Sequence, residues 1–146
     1  MSNQIVELLS DDNLDFPALK NALADPNGLL AVGGDLSVER LKAAYQSGVF
    51  PWYSDGDPIM WWSPDPRGII LTDQLRINRT LRKIVKQQHF TVTLNQAFDR
   101  VITYCADAPF RKEETWIVDE MLNAYQNLHH HGVAHSIEVW MDGELA

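Results

Sequence analysis

The segment from Val49 to Gly68, VFPWYSDGDPIMWWSPDPRG, constrains the fold of this chain more than any other stretch. It carries four of the seven prolines and three of the five tryptophans. Proline fixes φ and removes a backbone donor, so the segment reads as an ordered, irregular loop that holds its aromatic rings in place. Trp61 and Trp62 read as core residues beneath it, because aromatic side chains dominate cores. Trp52, bracketed by Pro51 and Tyr53 ahead of the polar SDGD turn, reads as a rim residue whose flat ring can stack on a base or another planar group.

Charge is the second constraint. The 146 residues carry 12 Lys plus Arg against 20 Asp plus Glu, a formal net charge of −8. Six of those cations lie between Arg67 and Lys86, with Asp73 as the only acid among them, so that segment is +5 and the remainder −13. A polyanion is repelled everywhere except at this one place. Within the segment, Asn78 can cap a helix running to about Gln88. Arg79, Arg82, Lys83 and Lys86 then fall at i, i+3, i+4 and i+7 on one face, with Leu81, Ile84 and Val85 directed inward. A charge stripe on a helix is commonly a solvated face. Without interleaved acids, and in so acidic a chain, this one reads as a sequence-independent contact to a phosphate backbone.

The rest of the chain reads as a mixture of short elements. Residues 1–28 suggest short irregular structure, and Leu29 to Val32 a short buried strand or turn stopped by Gly33-Gly34, which lack the Lys-Ser/Thr of a P-loop. Ser37 caps a helix that Gly48 ends. Phe90 to Leu94 alternates as a strand, Asn95 can cap, and Ala97, Phe98, Val101, Ile102 and Cys105 form the apolar stripe of another helix, with Cys105 as an inert core thiol. Val118 to Leu128 marks a helix ending at Gly132. His129, His130 and His131 fall in its last turn and cannot share one face, so a metal site is not expected there, and His135 reads as structural. Ala134 to Met141 alternates as a strand, Asp142-Gly143 is a two-residue hairpin turn, and Glu144 to Ala146 begins a return strand. Glu138 reads as a strand carboxylate facing solvent. A lone cysteine, no basic-then-apolar leader and no apolar run near the roughly 18 residues of a membrane span make a soluble cytoplasmic protein the expectation.

The run NGLLAVGGDLSVERLKAAYQSGVFPWYSDGDPIMWWSPDPRG, together with TWI at Thr115–Ile117, AYQNLHHHG at Ala124–Gly132 and AHSIEVW at Ala134–Trp140, resembles the bacterial leucyl/phenylalanyl-tRNA-protein transferases. The match is colinear from Phe16 to Leu145, and FPWYS, WWSPDPR and AHSIEVW are each unusual. The resemblance implies an α+β architecture: a family-specific N-terminal domain over 1–95, then the opening helices and hairpin of an acetyltransferase-like domain over 96–146. It implies transfer of Leu or Phe, and less well Met, from aminoacyl-tRNA to acceptor proteins beginning with Arg or Lys, marking them for degradation. No cofactor, metal or membrane is implied. Trp52 and Trp116 match family tryptophans lining the pocket for the 3′ adenosine and its amino acid. Tyr45 and Tyr125 match tyrosines near it, and the basic region, Arg76, Arg79, Arg82, Lys83 and Lys86, matches one that meets the tRNA acceptor stem. Two departures are local: Asn78-Arg79-Thr80 stands for a more usual Ser-Arg-Ser, and Glu114 places a negative charge beside Trp116.

The implied chemistry is ester aminolysis, which runs downhill without nucleotide or metal and asks the protein to position both substrates, accept a proton and stabilise an oxyanion. The family's members are longer, and its candidate acid/base groups fall outside the segments matched here, so no catalytic residue is assigned. Three expectations follow: a transferase that needs a complementing segment, a catalytically inactive binder of aminoacyl-tRNA 3′ ends, or a chain whose exposed edge strand drives association.

Overall fold

A computed structural model describes residues 5–107 and 115–146; Glu114 lies outside them. The first part of the chain builds a four-stranded sheet. β1 (Glu7–Leu9) runs parallel to β2 (Leu29–Gly33), and β2 pairs antiparallel with a strand over Met60–Trp62. Between them come α1 (Val38–Gln46) and the two-residue β3 (Phe50–Pro51), so that Met60–Trp62 is β4 and the sheet order is β1-β2-β4-β3. The proline-rich segment is therefore not wholly irregular, since it contributes both β3 and β4. Pro51 is tolerated because β3 is an edge strand, where one missing donor costs no ladder bond.

α1 begins as its sequence dictates. Ser37 is extended and its side chain accepts a hydrogen bond from the Arg40 N–H at 3.3 Å, while Asp35 Oδ1 accepts one from the Ser37 N–H at 2.8 Å. Leu41 and Ala44 on its inner face join Leu9, Leu30, Ala31, Val49 and Trp61 in one buried cluster that also takes in Leu128. Trp61 is at its centre: it has no exposed surface, meets Phe16 edge-on at 5.0 Å and donates from Nε1 to the Gly33 carbonyl at 2.8 Å. Trp62 is only half-buried and donates to the Trp52 carbonyl at 2.7 Å, which fixes the loop rather than the core.

The second part begins with α2 (Arg79–Gln87), capped by the Asn78 side chain, which accepts from the Leu81 N–H at 2.8 Å. Then follow β5 (Thr91–Leu94), α3 (Phe98–Ala106), α4 (Asp119–His130), β6 (Ile137–Met141) and β7 (Glu144–Leu145). These strands form a separate antiparallel sheet in the order β5-β6-β7. Asp142 and Gly143 both have positive φ, as a two-residue hairpin requires. The fold is α+β. Among the described residues no helix is long and apolar enough to cross a membrane.

Three expectations are corrected. On α2, Leu81 and Val85 do not point into a core: they are 47% and 66% exposed, and the helix buries no residue. Asn95 does not cap α3. It lies in the left-handed region at φ 57°, where its Oδ1 accepts from the Ser136 N–H at 3.0 Å, and α3 starts after Ala97. Cys105 is exposed, not a core thiol.

Candidate functional site

α4 lies against α1, and Leu128 of α4 completes the cluster built on the first sheet. That packing brings together four aromatic residues from distant parts of the chain. Tyr45 comes from the last turn of α1, Trp52 from the residue after β3, Trp116 from the segment preceding α4, and Tyr125 from the middle of α4. Trp52 and Trp116 stack with ring centroids 5.0 Å apart and planes 18° from parallel. Trp116 meets Tyr125 edge-on at 6.1 Å and 78°, and the Tyr45 and Tyr125 hydroxyls hydrogen-bond to each other. Trp52 is 50% exposed, so the stacked pair reaches the surface.

Burial pushes both tyrosine hydroxyls upward in pKa, Tyr125 further because Tyr45 adjoins it. Both stay protonated at neutral pH. One of the two hydroxyls donates to the other. Below the rings, a pocket of about 430 Å³ opens between α3 and α4, walled by Phe98, Ile102, Cys105 and Leu128, with His135 and Ser136 on its polar side. His135 Nδ1 is 2.9 Å from Asn95 Nδ2, so its ring is held by a neighbour on the β5–α3 turn. Of the three consecutive histidines, His129 lies flat on Phe98 at 4.1 Å and donates to the Ala134 carbonyl, and His131 donates to the Asn127 carbonyl. They close the end of α4.

A second hollow of about 370 Å³ is lined by Tyr45, Trp52, Trp116 and Arg67. Arg67 was not among the residues singled out from the sequence. Its guanidinium sits 5.2 Å from the centroid of the Phe50 ring and Nη2 donates to the Gly48 carbonyl at 3.2 Å, which sets a cation beside the stacked indoles. Its signal was its place at the leading edge of the +5 segment, within the DPR triplet. Arg76, Arg79, Arg82, Lys83 and Lys86 are all exposed, and the only ion pair among the described residues is Arg40–Asp35. The basic stripe is therefore not neutralised by local carboxylates.

Glu138 is the main reversal. It does not face solvent; it is 1% exposed. Its carboxylate accepts from Thr93 Oγ1 and Ser136 Oγ, each at 2.5 Å, and from the Gln96 and Ala97 N–H groups, each at 3.2 Å. Ala97 is the N-cap residue of α3 and Gln96 the residue before it, so Glu138 fastens the entry to that helix from another strand, and its charge favours the N-terminal dipole. Burial pushes the carboxyl up, but the four bonds, led by Ser136 and Thr93, outweigh it and hold the pKa down at about 2. With its folded value below its unfolded one, Glu138 stabilises the fold fully above the ordinary glutamate range. That contribution is lost as pH falls toward 2. Urea-unfolding midpoints should fall between pH 5 and pH 2.5, and Glu138→Gln should flatten that fall; parallel curves for the two proteins would contradict the assignment.

A sequence model described as leucyl/phenylalanyl-tRNA protein transferase matches residues 69–146, and one for the N-terminal domain of that family matches residues 34–65. The leucyl/phenylalanyl-tRNA--protein transferase of Colwellia psychrerythraea is 60% identical over 141 residues, covering 97% of this chain and 58% of the relative. Those of Pectobacterium carotovorum and Azotobacter vinelandii are 55% and 53% identical over 137 residues, or 94% of this chain and 58% and 61% of the relatives. The chain thus spans about three fifths of the curated relatives it matches. The match over residues 69–146 alone extends over more than half of the sequence, from the basic segment through the hairpin, and the match over residues 34–65 takes in most of the aromatic loop. This chain belongs to the leucyl/phenylalanyl-tRNA protein transferase family.

Proposed function

We propose that these residues bind the aminoacylated 3′ end of tRNA. In this reading they serve a transferase that moves Leu or Phe, and less well Met, onto acceptor proteins with N-terminal Arg or Lys, marking them for degradation in the cytoplasm. The observation that carries the reading is the meeting of Tyr45, Trp52, Trp116 and Tyr125 in one aromatic cluster with Arg67 beside it. A terminal base would stack on Trp52, the Tyr45–Tyr125 pair would donate to an ester or ribose oxygen, and Arg67 would meet a nearby phosphate. The exposed stripe Arg76, Arg79, Arg82, Lys83 and Lys86 would follow the acceptor stem. The reading divides the chain into an N-terminal unit and an acetyltransferase-like unit, near residue 95; the two separate sheets support this, with β5 already in the second.

In the reaction the acceptor α-amine attacks the aminoacyl carbonyl, a C–N bond forms, the C–O bond to the ribose breaks and the ribose oxygen takes up a proton. The tyrosine hydroxyls hold their protons, and Glu138 already accepts four hydrogen bonds, so none of the three is suited to take the proton from the amine.

The test measures transfer of labelled Phe from Phe-tRNA to a protein with N-terminal Arg, with tRNA retention read in the same tubes. Salt-sensitive retention is expected, weakened by about 5- to 100-fold in Trp52→Ala, the range set by about 1–3 kcal/mol per stacked base. Retention that Trp52→Ala and Trp116→Ala both leave unchanged would refute the site. Labelled acceptor would show that positioning alone suffices.

A further inference from the structure

His135 is held beside the pocket between α3 and α4 in a way that settles which of its ring nitrogens carries the proton. Asn95 and Ser136 exchange two hydrogen bonds: the Asn95 N–H donates to the Ser136 carbonyl, and the Ser136 N–H donates to Asn95 Oδ1, each at 3.0 Å. Ser136 is buried and its Oγ donates to Glu138 at 2.5 Å, so the residue just ahead of β6 is pinned through its N–H, its carbonyl and its hydroxyl. With Oδ1 committed to a backbone donor, the Asn95 amide turns its NH2 to the neighbouring ring, and Nδ2 lies 2.9 Å from His135 Nδ1. An amide nitrogen only donates, so Nδ1 accepts and the neutral ring carries its proton on Nε2. No described residue meets Nε2.

The pocket that His135 lines has no Lys, Arg, Asp or Glu in its wall, and the Tyr45 and Tyr125 hydroxyls share it. An apolar wall with a few donors and no charge suits a neutral acceptor. A phosphate calls for a cation, which Arg67 supplies at the other hollow. An ammonium finds no partner in a nitrogen that only donates, and a ribose hydroxyl is half matched, because it also has a proton to give. A carbonyl oxygen only accepts. We propose that His135 Nε2–H donates to the aminoacyl carbonyl oxygen of the charged tRNA end, with Asn95 as the positioning residue that keeps this nitrogen a donor. The inference rests on the proposed function and adds to it the group that tells a charged end from an uncharged one, since a deacylated end has hydroxyls and no such carbonyl. When the acceptor amine attacks, that oxygen gains negative charge and the hydrogen bond strengthens; no proton passes to or from the ring.

The experiment titrates the 146-residue chain with two probes, adenosine and adenosine carrying phenylalanine at its 3′ position through a stable amide. His135→Ala is expected to weaken the aminoacyl probe by about 2- to 10-fold, the range for one lost hydrogen bond, and to leave adenosine unchanged. His135→Gln, whose amide NH2 stands in for Nε2–H, should recover most of that loss. His135 is exposed, so both variants should keep the circular dichroism of the parent. In the same samples, nitrogen NMR of the ring above the histidine titration range should show the proton on Nε2. Asn95→Asp keeps an oxygen for the Ser136 N–H and tolerates the left-handed backbone at φ 57°, and its second oxygen should draw a proton onto Nδ1. A parent ring protonated on Nδ1, or a ring that Asn95→Asp leaves unchanged, overturns the inference. So does an equal loss of both probes in His135→Ala, which would make the ring a prop for the fold. If the parent binds both probes and His135→Ala changes neither, this inference alone falls; if the parent binds neither, the proposed function falls and takes the inference with it.

Discussion

Trp61→Ala should lower the free energy of unfolding by about 3–5 kcal/mol, the range for emptying a buried aromatic position. Against a typical total of about 5–15 kcal/mol, such a loss brings the chain to the edge of folding. Its size follows from where β4 lies. Trp61 pairs with Ala31 of β2 on one side and Pro51 of β3 on the other, so its ring fills the middle of the first sheet's packed face, between Phe16 and the α1 residues Leu41 and Ala44. Removing the indole leaves a cavity and also takes the donor from the Gly33 carbonyl. Trp62→Ala, at a half-buried position, should cost clearly less. Urea titration followed by circular dichroism reads both, and a Trp61→Ala loss below about 1 kcal/mol would place the core elsewhere.

Neutralising the α2 stripe should remove most of the salt dependence of tRNA binding without unfolding the helix. If Arg79, Arg82, Lys83 and Lys86 each neutralise a phosphate, together they account for a slope of about −3 in log affinity against log salt, or close to a hundredfold between 50 and 200 mM. The quadruple Gln variant should lose only a few-fold over that range. Arg, Lys and Gln have similar helix propensities, and the Asn78 cap is untouched, so helicity should survive. Equal slopes for parent and variant would leave the stripe as a solvated face and nothing more.

Local signals in the sequence were legible where the cause was local. Ser37 and Asn78 cap the helices they precede, Asp142-Gly143 makes its turn, and the i, i+3, i+4, i+7 cations share a face because helical period alone decides it. Trp52 was legible as a rim ring from its own neighbours, whereas Tyr45, Trp116 and Tyr125 were named through resemblance. Their meeting depends on α4 docking on α1, which no window of the sequence contains. The misreadings have the same root. Glu138 looked solvated because three of its four donors, Thr93 and the Gln96 and Ala97 amides, lie more than forty residues away, and only Ser136 is local. Asn95 looked like a cap because that is what asparagine usually does before an apolar run, but its Oδ1 is taken by the Ser136 N–H, forty-one residues away. Leu81 and Val85 looked inward because amphipathic spacing says which side of a helix is apolar, without saying that anything lies against it.

The stacked indoles have a consequence for how selectivity could arise. With 5.0 Å between centroids, Trp52 and Trp116 are already in contact, and no third ring fits between them. In the proposed site a ligand ring would add to the outside of the pile, on a platform whose ordering cost was met when the chain folded. An outer stacking face accepts any flat heterocycle, so it grips without discriminating. Choice among ligand ends would then fall to the directional groups around the platform, the Tyr45–Tyr125 hydroxyls and the Arg67 guanidinium, while the indoles set how long each candidate stays.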